Sequence, residues 1–145
     1  MVKAVGIIRF LSIVLFLGIL ALVYAYLPVM VSLIPDNGYT LQRESFFYYV
    51  VAIFVVVNIL LSVLTKSLQP QFQKWDADFE AWFKMLTPVV NIYIVLLVGF
   101  IGVINNPTHI SASSYAYLNF LGPILVLVWV IGMGYLSFTR VLKKV

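Results

Sequence analysis

The 145-residue chain has no cysteine, and so it has neither disulfides nor thiolate metal sites. It has one histidine, His109, too few for a bis-histidine haem, and no carboxylates gather near it in sequence to hold a metal. No Ser–His–Asp, Cys–His or glycine-rich phosphate pattern is present. The sequence therefore points away from an enzyme and offers no cofactor-binding motif. Charge is scarce as well, at 10% of residues, and the long apolar runs that follow Arg9 contain none. Ion pumps, voltage sensors and charge-coupled transporters rely on ionisable groups inside such runs, so those classes lose support.

What the chain does have is apolar surface, with 63% of its residues hydrophobic. Soluble domains have about 45–50% apolar residues and about 25% charged ones. A domain this small cannot hide such an excess from water, because much of its chain must face the solvent. Lipid is the medium that fits. The net charge of +4 gives no nucleic-acid signature, since no basic patch interleaved with exposed aromatics accompanies it.

Four segments are long enough to cross a hydrocarbon core of roughly 30 Å. They fall at about 5–30, 46–65, 86–104 and 115–139, within one membrane domain covering 1–145. The first could be read as a signal peptide cleaved near Val23-Tyr24-Ala25, but its apolar run continues past that point. Pro28 lies near the outer end of this segment, where a kink is tolerated. Pro35-Asp36-Asn37-Gly38 is a strong turn signal inside a loop over 34–45. The second segment is rich in Val and Ile, yet an isolated strand in lipid leaves its backbone unpaired, so helix is expected. Strictly alternating ten-residue strands, the mark of a membrane barrel, are absent from the sequence.

The connector over 66–86 is where charge returns. Within it Phe72, Trp75, Phe79, Trp82 or Phe83, and Leu86 recur at steps of three and four, one face of a helix. This predicts an amphipathic helix in the membrane interface, anchored by Phe72, Trp75, Phe79, Trp82 and Phe83 and begun by Pro70 or capped by Asp76. If it continues into the third segment, a bend is expected around Thr87–Pro88. His109 falls in a polar outer loop and is read as a solvated loop residue.

Orientation follows from the cations. The N-terminus, connector and C-terminus contain Lys3, Arg9, Lys66, Lys74, Lys84, Arg140, Lys143 and Lys144, whereas the other two loops contain Arg43 alone. Eight against one places both termini in the cytoplasm.

Inside the spans the informative polar residues are neutral. Asn58 and Ser62 share one helix face, and so do Thr87 and Asn91. Counting from Lys66 and Lys84, both asparagines lie roughly 10–12 Å inside the cytoplasmic boundary at about 1.5 Å per residue. They are expected to face one another or a common cavity, as interhelical glue or as a polar pocket. Gly99, Gly102, Gly122, Gly132 and Gly134 mark possible close helix contacts.

One stretch adds a resemblance. Leu27-Pro28, Asp36-Asn37-Gly38 and Ser45-Phe46-Phe47-Tyr48, opening an apolar helix that holds Asn58, resemble the first hairpin of SdpI-like bacterial membrane proteins over residues 27–60. That family usually carries a histidine between the proline and the glycine, and this chain has none over 29–35. The resemblance implies a small polytopic protein of a bacterial cytoplasmic membrane, in a family with some members linked to toxin immunity and signalling.

The reading is an all-α, four-helix integral membrane protein with an interfacial helix between spans two and three. Its expected role is structural or accessory, through packing with itself or with partner subunits in the bilayer. The alternatives are a small carrier or channel for a neutral or lipid-like solute, or an SdpI-like immunity or sensing protein.

Overall fold

The computed structural model describes residues 2–34, 38–72, 77–106, 115 and 117–142. A proline-free, mostly apolar run makes α1, Val2–Tyr26. Its buried stripe is Val5, Ser12, Phe16, Leu20 and Val23, continued beyond the helix by Leu27. Ile7, Phe10, Leu11, Val14, Leu17 and Leu22 lie exposed around the rest. The helix was expected to reach Met30 and stops four residues earlier. Pro28 disfavours helical geometry at Leu27 and has no N–H to continue the ladder.

The chain then forms a small hairpin, whose second strand falls within the loop expected over 34–45. β1, Met30–Ser32, pairs antiparallel with β2, Thr40–Gln42, with Val31 opposite Leu41. Gly38, at φ 65°, takes the positive φ that its turn requires. Pro35, Asp36 and Asn37 lie outside the described residues. So short a hairpin is marginal alone. Here Val31 is fully buried in the main core, and the Arg43 N–H donates to the Val29 carbonyl at 2.9 Å.

α2 spans Arg43–Phe72, longer at both ends than the expected 46–65. Pro70, expected to begin a new helix, instead falls in its last turn. Its missing N–H costs a single bond there, to the Lys66 carbonyl. After an interval, α3 spans Ala77–Lys84 and α4 spans Leu86–Ile104. Only Met85 separates them, and it keeps helical geometry at φ −67° and ψ −14°. The break lies at Met85, slightly before the expected Thr87–Pro88. Pro88 offers no N–H to the Lys84 carbonyl, so the ladder lapses one turn upstream of the ring. On either side it persists: the Met85 N–H donates to Ala81, and the Val89 N–H donates to Met85, both at 3.1 Å. α5, Leu118–Leu142, contains Pro123.

Four units are long and apolar enough to cross a membrane: 4–26, 43–68, 77–104 and 118–139. Contacts give their directions. Phe16 of α1 stacks on Phe54 of α2 with ring centroids 3.7 Å apart, while Tyr24 meets Phe47, so these helices are antiparallel. α4 runs alongside α1 in the same direction and against α5. It is the central element, burying Thr87, Pro88, Asn91, Val95 and Val98 along one stripe. The core joins Phe16, Leu20, Val23, Val31, Phe54 and Val98 from α1, β1, α2 and α4. Among the described residues α5 contributes no side chain to it. Ile131, Tyr135 and Phe138 of α5 remain exposed, as do Ile53, Ile59 and Leu60 of α2. Apolar patches of this extent do not persist on monomers in water, and lipid removes the difficulty.

The expected connector helix is present in part, as α3, and its aromatic face meets protein. Of its anchors, Trp75 lies outside the described residues, as does Asp76, and Phe72 is the last residue of α2. Phe79 is buried under the bundle. Trp82 and Trp129 of α5 exchange hydrogen bonds: each indole N–H donates to the other's backbone carbonyl, at 3.0 and 2.9 Å. Phe83 packs at a tilt against Trp129, centroids 6.3 Å apart. Phe79, Trp82 and Phe83 thus help join α3 to the bundle, with Phe79 buried and Trp82 and Phe83 half-buried. Helical spacing shows that the rings share a face, but protein and lipid are equally apolar partners for it.

At the far end, Asn105 ties the hairpin to α4. Its Nδ2 donates to the Ser32 and Ile101 carbonyls, each at 2.8 Å, and the Ser32 N–H donates to its Oδ1 at 2.7 Å. The side-chain amide thus pairs with Ser32 as a neighbouring strand would. Asn105→Leu is expected to free this edge at a cost of about 1–3 kcal/mol. Amide exchange at Ser32 should then rise well above that of Val98. Unchanged protection at Ser32 would show that the clasp holds nothing.

Candidate functional site: an asparagine-centred polar ring

At the end of the bundle shared by Arg9, Ser62 and Lys84, five side chains from three helices form one closed circuit. Asn58 on α2 donates through Nδ2 to Asn91 Oδ1 on α4 at 2.8 Å. Asn91 Nδ2 donates to Ser12 Oγ on α1 at 2.9 Å, and that hydroxyl donates to the Arg9 carbonyl at 2.7 Å. The Arg9 guanidinium donates back across to Ser62 Oγ at 2.7 Å. Ser62 Oγ donates to the Asn58 carbonyl at 2.6 Å, closing the circuit through the α2 backbone.

Helical spacing positions each member. Asn58 and Ser62 are one turn apart on α2, and Arg9 and Ser12 one turn apart on α1. Asn91 lies on the buried stripe of α4 and is wholly enclosed. Each serine hydroxyl donates once and accepts once. Asn58 Nδ2 uses its second proton on the Phe54 carbonyl at 3.0 Å. Asn58 Oδ1 is the exception, a buried acceptor with no partner among the described residues.

The structure thus brings Asn58, Ser62 and Asn91 together. Thr87 is buried one turn from Asn91 but is not a member of the ring. It walls a neighbouring groove of about 260 Å³ with Val5, Gly6, Arg9, Thr65 and Lys84. Two ring members, Arg9 and Ser12, were missed from sequence. Arg9 falls inside the expected first segment, 5–30, but at the sequence level it enters only as an orienting charge. Ser12 had a readable signal: it begins the series 12, 16, 20, 23, 27, whose steps of four and three mark one face.

A second groove, of about 410 Å³, opens between α1 and α2 on the outward side of the ring. Arg9, Asn58, Ser62 and Lys66 lie along it, beside Ile13, Phe54, Val55, Ile59 and Val63. Lys84 on the opposite side bonds Glu80 one turn back on α3.

Chemically, the ring is a fixed set of neutral donors and acceptors with one permanent cation. Among the described residues no three His, Cys, Asp or Glu side chains come together as a metal site. His109 lies outside the described residues. Compared with family models, curated proteins and solved structures, the chain finds no match.

Proposed function

We propose that the chain is a non-enzymatic integral membrane protein, structural or accessory in role, that acts by packing its helices against copies of itself or partner subunits. Both termini lie in the cytoplasm, in accord with the cation count. The observation that carries this reading is the closure of the ring. Apart from Asn58 Oδ1 and the remaining Arg9 guanidinium N–H groups, its polar groups are spent on one another, so they serve as attachment between α1, α2 and α4. The faces left for partners are apolar and outward, on α2 and above all on α5.

The absence of cysteine makes the test direct. A single cysteine at Ile131, exposed on α5, is expected to give crosslinked dimers or a discrete heavier band in native membranes. The same complex should survive purification in mild detergent. A strictly monomeric, partnerless chain in both settings counts against the proposal. In the same background, a cysteine replacing Lys66 should resist an impermeant maleimide in intact cells and react after lysis. Reaction in intact cells would reverse the orientation.

A carrier for a neutral or lipid-like solute is a second reading, favoured by the unpartnered Asn58 Oδ1 beside the α1–α2 groove. Asn58→Leu separates the two readings. Loss of stability alone supports attachment, while solute uptake lost from a stable fold supports the carrier.

A further inference from the structure

The α1–α2 groove is graded along its length. Lys66, Ser62 and Asn58 are spaced by four on α2, so they form one ridge, and Arg9 faces them from α1. The adjacent ridge, Val55, Ile59 and Val63, is apolar, and Phe54 and Ile13 extend that surface deeper. From Lys66 to Phe54 the α2 wall runs twelve residues, roughly 18 Å at 1.5 Å per residue. One end of the groove is therefore cationic and hydrogen-bonding, and the other offers only hydrocarbon. No Asp or Glu lies among the residues lining it.

Within the described structure the Arg9 guanidinium makes one side-chain hydrogen bond, to Ser62. A guanidinium carries five N–H donors in a planar fork suited to phosphate. Lys66, exposed at the same end, adds a second positive charge. An ionisable group within a membrane helix normally finds a counter-charge or a route to water. Among the described residues lining the groove, no carboxylate supplies that counter-charge.

We propose that this groove binds an anionic phospholipid, its phosphate between Arg9 and Lys66 and one acyl chain along Ile59, Val55 and Phe54. The charge selects the headgroup, and the apolar wall selects a lipid over free phosphate. The polar ring holds Arg9 in place for this contact, because the Ser62 bond fixes one edge of the guanidinium and leaves the other to the ligand.

The test is native mass spectrometry of the full chain in neutral detergent. It is titrated with phosphatidylglycerol or with phosphatidylcholine of the same acyl chains. Phosphatidylglycerol should be retained at least about fivefold better, the scale expected of one basic residue at a lipid surface. Lys66→Gln should remove most of that preference, lowering phosphatidylglycerol retention far more than phosphatidylcholine retention, and Lys66→Arg should keep it. Ile59→Trp, which fills the apolar wall, should lower retention of both lipids. Equal retention of the two lipids by the parent chain overturns the proposal. So does an undiminished preference in Lys66→Gln, or its loss in Lys66→Arg. Inorganic phosphate competing as well as the lipid would show that the acyl wall plays no part, and would overturn it too. Lys66 is exposed and outside the ring, so these outcomes do not turn on misfolding.

Discussion

Asn91→Leu is expected to destabilise the protein by about 1–3 kcal/mol, more than any other single change in the ring. Two hydrogen bonds disappear, and interhelical bonds in membrane proteins are worth about 0.6 kcal/mol on average and about 1.7 at most. The remainder comes from what is left behind. Asn58 keeps only the Phe54 carbonyl for its amide, and Ser12 keeps only the Arg9 carbonyl for its hydroxyl. Leucine has the same branched side-chain skeleton as asparagine with bulkier ends, so no cavity adds to the loss. Asn58 is less enclosed, and Asn58→Leu should cost less. The double variant should cost less than the sum of the two, because both remove the same bond. Reversible unfolding in mixed detergent measures all three. An Asn91→Leu chain as stable as the parent would show that the ring contributes no attachment.

The second large effect lies on α5, where two glycines two positions apart should behave oppositely. A Cβ at Gly132 would run into the Trp82 indole, whereas one at Gly134 meets nothing within 4 Å. Gly132→Val is therefore expected to force Trp82 away and break its reciprocal bonds with Trp129. Overpacking of this kind costs about 1–3 kcal/mol. Gly134→Ala should be neutral or stabilising by up to about 1 kcal/mol, as alanine is the better helix former. In a Trp82→Ala background the Gly132→Val penalty should largely vanish. Melting in detergent, read by tryptophan fluorescence, distinguishes these outcomes. If Gly132→Val melted with the parent, α5 would not be seated on Trp82 at all.

The pairing of Asn58 with Asn91 was within reach of the sequence because two regularities sufficed. Helical spacing put Asn58 with Ser62, and distance from Lys66 and Lys84 put the asparagines at one depth. The third segment was legible residue for residue at 86–104, since it is bounded by polar sequence on one side and by Pro88 near the other. What failed had a common origin. Val29–Ser32 is as apolar as the helix before it, and hydropathy alone cannot say that the chain has turned into a strand. The steric demand of Pro28 was the better guide. Gly102, Gly122 and Gly132 were all named as close contacts, and each does lie against a neighbour's side chain, Val23, Tyr93 and Trp82 respectively. Gly99 and Gly134 do not, and nothing in their local sequence sets them apart. Close approach is decided by which helix arrives opposite, and that is a tertiary fact.

The circuit through Arg9 also has a temporal side. A ribosome releases α1 long before Ser62, 53 residues later, or Asn91, 79 residues after Ser12. During that interval the newborn first helix holds a permanent cation with no companion from its own chain. Whatever machinery inserts this polypeptide has to harbour that arginine, near the bilayer surface or in a sheltered channel, until most of the molecule has been made.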